Sequence, residues 1–195
     1  MNFYSFISNL SRQYGRSPAL ITYDDEGRIL EKLSYSLLKD KIEICSNFLL
    51  DQGLISGDSF AIALRNSSEL LLLSWAAWSI GIVTVPLDMK RDTLEEHIYK
   101  IHLSKAKIVI TKNNELKGRE KEILSKKVKI INLDAIKSSN NSKNELPWKP
   151  NLDHEALILF TSGTTAHPKG AKLSLENLVV NAESIKKWLK IGHED

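Results

Sequence analysis

The stretch from Leu70 to Leu87, LLLLSWAAWSIGIVTVPL, carries no charged side chain and constrains the fold more than any other part of the sequence. Its length comes close to the ~20 residues that a membrane-spanning helix needs. The residue types argue for a different solution. Gly81 and Pro86 interrupt helical continuity, and the β-branched run of Ile82, Val83, Thr84 and Val85 favours an extended strand. Glu69 and Asp88 close the stretch tightly with charge at both ends. The expectation is a buried helix over Ser67 to Ile80 followed by a buried strand over Ile82 to Val85, which requires a sheet covered on both faces.

The same alternation runs along the chain. Phe3, Phe6, Ile7 and Leu10 lie at helical spacing in a segment that ends near Tyr14, with Gly15 and Pro18 behind it. Ala19 to Tyr23 and Ile29 to Leu33 flank the turn residues DDEGR and predict a hairpin. Ser34 is a plausible N-cap for a helix reaching Leu50, lined on one side by Leu37, Leu38, Ile42, Cys45, Phe48 and Leu49 and stopped by Gly53. Strands follow at Ser59 to Leu64, Lys107 to Thr111 and Val128 to Leu133, with helices at Thr93 to Leu103 and Glu115 to Ser125. Short β-branched strands between helices predict the α/β class, with layered helices around a mostly parallel sheet.

Residues 137–151, KSSNNSKNELPWKPN, hold turn formers at most positions and read as an internal surface loop or linker. Residues 152–195 then supply an apolar strand from Ala156 to Phe160, a polar loop, a short strand near Ala171 to Leu173 and a helix beginning near Ser174.

Composition narrows the function classes. With 42% hydrophobic and 26% charged residues in 195, the chain matches an ordinary globular protein. The net charge of +3, from 27 basic and 24 acidic side chains spread along the chain, predicts no nucleic-acid partner. The densest basic run, Lys117 to Lys129, is broken by Glu120 and Glu122 and reads as a wet helix face. Cys45 has no second cysteine to pair with and lies in an apolar helical pattern, so a buried thiol is expected. The opening MNFYSFISNLSRQYG has no basic segment leading a long apolar run, which predicts a cytoplasmic protein with no membrane span.

Chemistry concentrates between Thr161 and Gly170, where the loop TSGTTAHPKG follows directly on a buried strand. Gly163 lets backbone approach an oxyanion closely, Thr161, Ser162, Thr164 and Thr165 offer hydroxyl donors, and Lys169 adds a positive charge. That set suits a polyphosphate. The spacing from Gly163 to Lys169 and the Gly170 and Ala171 that follow exclude a Walker A loop. A turn kept polar only for solubility would have a similar composition.

FTSGTTAHPKG resembles the signature loop of the adenylate-forming superfamily, which includes acyl-CoA synthetases, aryl-acid ligases, nonribosomal peptide adenylation domains and luciferases. LEKLSYSLL is similar to that family's early strand-to-helix segment, GDSFAIALRNSSELLLLSWAAWSIGIVTVPLD to its next core unit, and AKLSLENLVVNAESIKKWL to the strand and helix after the loop. The resemblance covers nearly the whole chain, with departures at Ala166, where the family usually has Gly, and Leu175, where many members have His. It implies that residues 1–195 form the N-terminal part of an adenylation domain, an incomplete N-terminal subdomain whose unfinished sheets would leave edges and apolar faces exposed.

The resemblance further implies ATP-dependent activation of a small carboxylic acid to an acyl-adenylate with release of pyrophosphate, followed by thioester formation with CoA or a phosphopantetheine, the latter on an acyl-carrier protein. Thr161, Ser162, Gly163, Thr164 and Thr165 would line the ATP phosphates and Lys169 would steady the departing pyrophosphate. The magnesium ligand and the principal catalytic residues would lie outside this chain, which alone is expected to be inactive. If Ala166 needs a positive φ, its β-carbon costs about 1 kcal/mol and stiffens the loop. A truncated noncatalytic remnant, serving as a phosphate-binding or interaction module, is the alternative.

Other candidates read as structural. Trp75 and Trp78 are expected in the core, Asp88, Arg91 and Asp92 as turn and cap residues, and His167 facing solvent. His97 and His102, five apart on one helix, do not share a face, so no metal cluster is expected.

Overall fold

The computed structural model describes residues 2–112, 115–116, 118–137, 146–149, 151–161 and 168–192. Helix α1 (Phe3–Tyr14) is followed by the antiparallel hairpin of β1 (Pro18–Tyr23) and β2 (Ile29–Ser34). Helix α2 (Tyr35–Asp51) leads to β3 (Ser59–Ala63), α3 (Ser68–Ser79), β4 (Val83–Pro86), α4 (Leu94–Ser104) and β5 (Ile108–Thr111). Then come α5 (Gly118–Ser125), β6 (Lys129–Asn132), the short α6 (Asp134–Lys137), β7 (Glu155–Thr161), β8 (Lys169–Ser174) and α7 (Leu175–Leu189).

Six strands form one sheet in the order β6-β5-β3-β4-β7-β8, parallel throughout except for the antiparallel edge strand β8. The uncharged stretch becomes α3 and β4, as its residue types require, and among the described residues no helix is long and apolar enough to cross a membrane. Every residue of β3 is buried, because the alternation of a strand has cover on both sides here. Phe60 and Ile62 join the α1, α2 and α3 layer, while Ala61 and Ala63 point to the opposite layer with Ile101 of α4 and Leu124 of α5.

Helix starts follow local chemistry. Ser34, Ser67, Thr93 and Ser174 each cap a helix by accepting from a backbone N–H three residues on, and Thr93 with Glu96 completes a reciprocal box. Helix α5 starts later than its sequence pattern suggests, and α6 is too short to have shown a period. Within 137–151, Leu146 is buried and Trp148 stacks on Tyr4 of α1 with ring centres 3.7 Å apart, so the described part packs against the helical layer. At the other end of the chain α7 buries only Leu175, leaving Val180, Trp188 and Leu189 exposed beside the edge strand.

Glu69, in the first turn of α3, reaches Lys112 beyond β5 at 2.7 Å. Burial pushes its carboxyl up, but hydrogen bonds from Lys112, its own backbone N–H and Ser67 outweigh this and hold it below its ordinary 4.5. The group thus titrates lower folded than unfolded, and its stabilisation is present above 4.5 and lost as pH falls through the folded value. Both side chains are about a third or more exposed, so the expected effect is small. In urea unfolding the Glu69→Gln variant should be less stable than the parent by about 0.5 kcal/mol at pH 7, with the difference shrinking as pH falls below 4.5. A gap that stays constant as the pH is lowered would disprove this.

Candidate functional site

Parallel strands bring their carboxyl ends to one edge of the sheet, and neighbouring strands whose following helices cover opposite faces leave a crevice there. Strand β3 leads to α3 on one face, and its neighbour β4 leads to α4 on the other. The crevice lies between Leu64 to Asn66 after β3, Pro86 to Arg91 after β4, and Leu159 and Phe160 of β7, with a volume of about 680 Å³.

Its wall is rich in cations. Arg65 is 3.4 Å from Glu115, Arg91 is 4.0 Å from Asp88, and Lys100 is 2.5 Å from Asp92. Asp88 accepts from the backbone N–H groups of Lys90 and Arg91, which form a tight turn and hold its carboxyl below the usual range. Asp92 accepts from the N–H of Asp88 and closes the same turn. Both residues are the turn formers that the sequence suggests.

Strand β7 ends at this edge. Thr161 is its last residue and Lys169 the first of β8, and the two are direct partners across the antiparallel ladder. The loop they support, including Ser162, Gly163, Thr164, Thr165, Ala166 and His167, lies outside the described residues. Thr161 and Lys169 are both exposed, and among the described residues Lys169 makes no ion pair, so its ammonium is open to an anionic ligand. The Thr161 hydroxyl lies at 3.5 Å from the Lys169 carbonyl, a contact weak enough to yield to a better acceptor. Among the described residues no group of three or more His, Cys, Asp or Glu is placed to hold a metal ion, and His97 is buried while His102 faces outward. The Thr161 hydroxyl and the Lys169 ammonium are donors of the kind that suits phosphate oxygens.

Two features escaped the sequence reading. Lys100 and His97, on the inward side of α4, are 6% and 4% exposed. A lysine or histidine in an amphipathic pattern is ordinarily assigned outward, and the partner Asp92 sits in a turn that no helical period reveals. The second feature is a cleft of about 420 Å³ between α1, α3 and α7, lined by Phe3, Phe6, Trp75, Trp78 and Val179. Trp75 and Trp78 are thus half-buried at its wall, with Phe3 edge-on to Trp75 and the Trp78 indole N–H donating to Thr84.

The model of the AMP-binding enzyme family matches residues 9–195. Crotonobetaine/carnitine–CoA ligase from Citrobacter koseri is 29% identical, with 87% of this chain aligned to 36% of the relative, and the enzyme of Escherichia fergusonii gives the same figures. The chain therefore spans about a third of the length of the curated relatives it matches.

Among solved structures, o-succinylbenzoate CoA synthetase from Bacillus subtilis in complex with its acyl-adenylate intermediate superposes with a TM-score of 0.82 at 21% identity, covering 100% of this chain and 48% of that one. The same synthetase in complex with ATP and magnesium ion gives 0.80. VinN in complex with 3-methylaspartate gives 0.78 at 18% identity, covering 98% and 53%. These likenesses establish the fold: an α/β unit with helices around a mostly parallel sheet. With the family model spanning nearly all of its length, this chain belongs to the AMP-binding enzyme family, of which it is an N-terminal portion.

Proposed function

We propose that the chain is the N-terminal part of an ATP-dependent carboxylic-acid ligase, which forms an acyl-adenylate and pyrophosphate and then a thioester with CoA or a carrier-bound phosphopantetheine. The observation that carries this reading is the pairing of Thr161 with Lys169 at the carboxyl edge of the parallel strands, where they present a hydroxyl and an exposed ammonium beside a cation-rich crevice. The relatives named for CoA ligation and the neighbour bound to ATP and magnesium support it.

In the proposed reaction a carboxylate oxygen attacks the α-phosphorus of ATP and the bond to the bridging oxygen of the β-phosphate breaks. Negative charge grows on the departing pyrophosphate. Lys169 neutralises part of that charge, and the Thr161 hydroxyl donates to a phosphate oxygen, with Ser162, Gly163, Thr164 and Thr165 proposed to complete the cradle. Magnesium, when bound, would offset phosphate charge, and its protein ligand is proposed to lie outside this chain. The cytoplasm is the proposed setting, since ATP and CoA are found there.

Because the chain matches only about a third of its relatives' length, it is expected to bind pyrophosphate without completing the reaction. Titration calorimetry should give a measurable pyrophosphate affinity, and Lys169→Ala should weaken it about tenfold by removing one charge-assisted contact. ATP and pyrophosphate exchange should be absent with a pooled panel of fatty, aryl and amino acids. Equal affinity in the parent and the variant would sink the role given to Lys169. Exchange by this chain alone would refute the division of labour.

A further inference from the structure

We propose that Lys100 is a positioning residue for the loop between β7 and β8, holding the base of that hairpin through the ring of Phe160. Its functional consequence rests on the phosphate-binding reading of that loop.

Helix α4 turns His97, Lys100 and Ile101 inward, so two of its three buried positions carry titratable groups. Burying a lysine is costly unless its charge is met on several sides. Asp92 meets it on one side, 2.5 Å from the ammonium. On another, the ammonium stands over the Phe160 ring, 5.7 Å from its centre. A desolvated cation at that distance favours one orientation of the ring, which an aliphatic side chain of equal length would not.

Strand β8 also meets the ring. Phe160 pairs with Gly170 across the β7 and β8 ladder. A β-carbon at Gly170 would lie 3.2 Å from Phe160 Cε1 and 3.2 Å from Ile158 Cγ2, tighter than ordinary contact, so the ring occupies space that only glycine leaves free. The next pair along is Thr161 with Lys169, the last before the loop. Strand β8 has one neighbour in the sheet and four exposed residues, so little else holds this end of the hairpin. Asp92, Lys100, Phe160 and Gly170 thus form a continuous line from the turn after β4 to the base of the candidate phosphate loop.

The test is residue-resolved amide exchange on the whole chain, comparing Lys100→Met, Lys100→Arg and the double variant Asp92→Asn with Lys100→Met, in which no charge stays buried. Exchange at Phe160, Thr161, Lys169 and Gly170 should rise about tenfold in both neutral variants relative to Val109 and Ile110, and Lys100→Arg should stay near the parent. Pyrophosphate affinity should fall with the same order across the variants. Unchanged exchange at the hairpin base overturns the assignment, and so does a rise that Val109 and Ile110 share, because that is general loosening. An arginine variant as loose as methionine overturns the part given to the cation. If the hairpin base loosens as expected while the parent takes up no pyrophosphate, the positioning contact stands and the phosphate-binding reading falls.

Discussion

Replacing Asp92 by alanine is expected to lower the unfolding free energy by about 3–5 kcal/mol, the range for removing one partner of a buried ion pair. The side chains of Asp92 and Lys100 are 10% and 8% exposed. Alanine would leave a largely buried ammonium without the carboxylate that compensates its charge at contact distance. The same carboxylate also accepts from the N–H of Asp88, so the turn after β4 loses its closing bond. His97 stands 3.7 Å from Asp92, has no hydrogen-bond partner on either ring nitrogen among the described residues, and supplies no carboxylate in its place.

A loss of this size is a large share of the 5–15 kcal/mol that holds a typical domain together. The double variant Asp92→Asn with Lys100→Met should recover most of it, because neutral side chains of similar volume avoid the desolvation cost. Urea unfolding followed by tryptophan fluorescence reads both changes. A single variant no worse than the double would mean that water reaches the pair and that burial does not set its energy.

The fold was legible where one segment carried its own solution. The uncharged stretch at Leu70 to Leu87 could only be buried, and its glycine, proline and β-branched residues marked where helix gives way to strand. Ser34 announced α2 because its hydroxyl can reach the N–H of Leu37 without help from distant parts of the chain. Strand β8 was underestimated for the converse reason. KGAKLS lies at a sheet edge and is exposed over Lys169 to Lys172, so its extent is set by pairing with β7 rather than by an apolar run.

The candidate site divides along the same line. Thr161 and Lys169 could be named from the sequence because hydroxyls, a glycine and a lysine directly after an apolar strand form a recognisable pattern, and what the structure adds is their pairing across the β7 and β8 ladder. The crevice beside them could not be. It depends on β3, β4 and β7 being neighbours, and sequence order gives no spatial order for strands that cross over. Lys100 stayed hidden because its reason for burial lies eight residues back in a turn and sixty residues on at Phe160.

Thr84→Val is the other change expected to have a large effect, about 2–3 kcal/mol in unfolding free energy, although it preserves volume and suits a strand. Thr84 is fully buried, and its hydroxyl joins three elements. It accepts from the Trp78 indole N–H of α3 at 3.0 Å and donates to the Ala156 carbonyl of β7 at 3.1 Å. Valine removes both bonds, so the half-buried indole N–H and the carbonyl of the buried Ala156 lose this partner. The location magnifies the consequence, because β4 and β7 share a single register pair, Thr84 with Leu157. Weakening this junction should free the β7 and β8 hairpin before the rest of the sheet, so exchange at Phe160 and Thr161 should rise more than at Ile62 or Val109. Thr84→Ser, which keeps the hydroxyl and loses only a methyl, should stay within about 1 kcal/mol of the parent. If valine and serine proved equally stable, the hydroxyl would not be the link, and the strand carrying the candidate phosphate loop would have to be held by packing on its flanks.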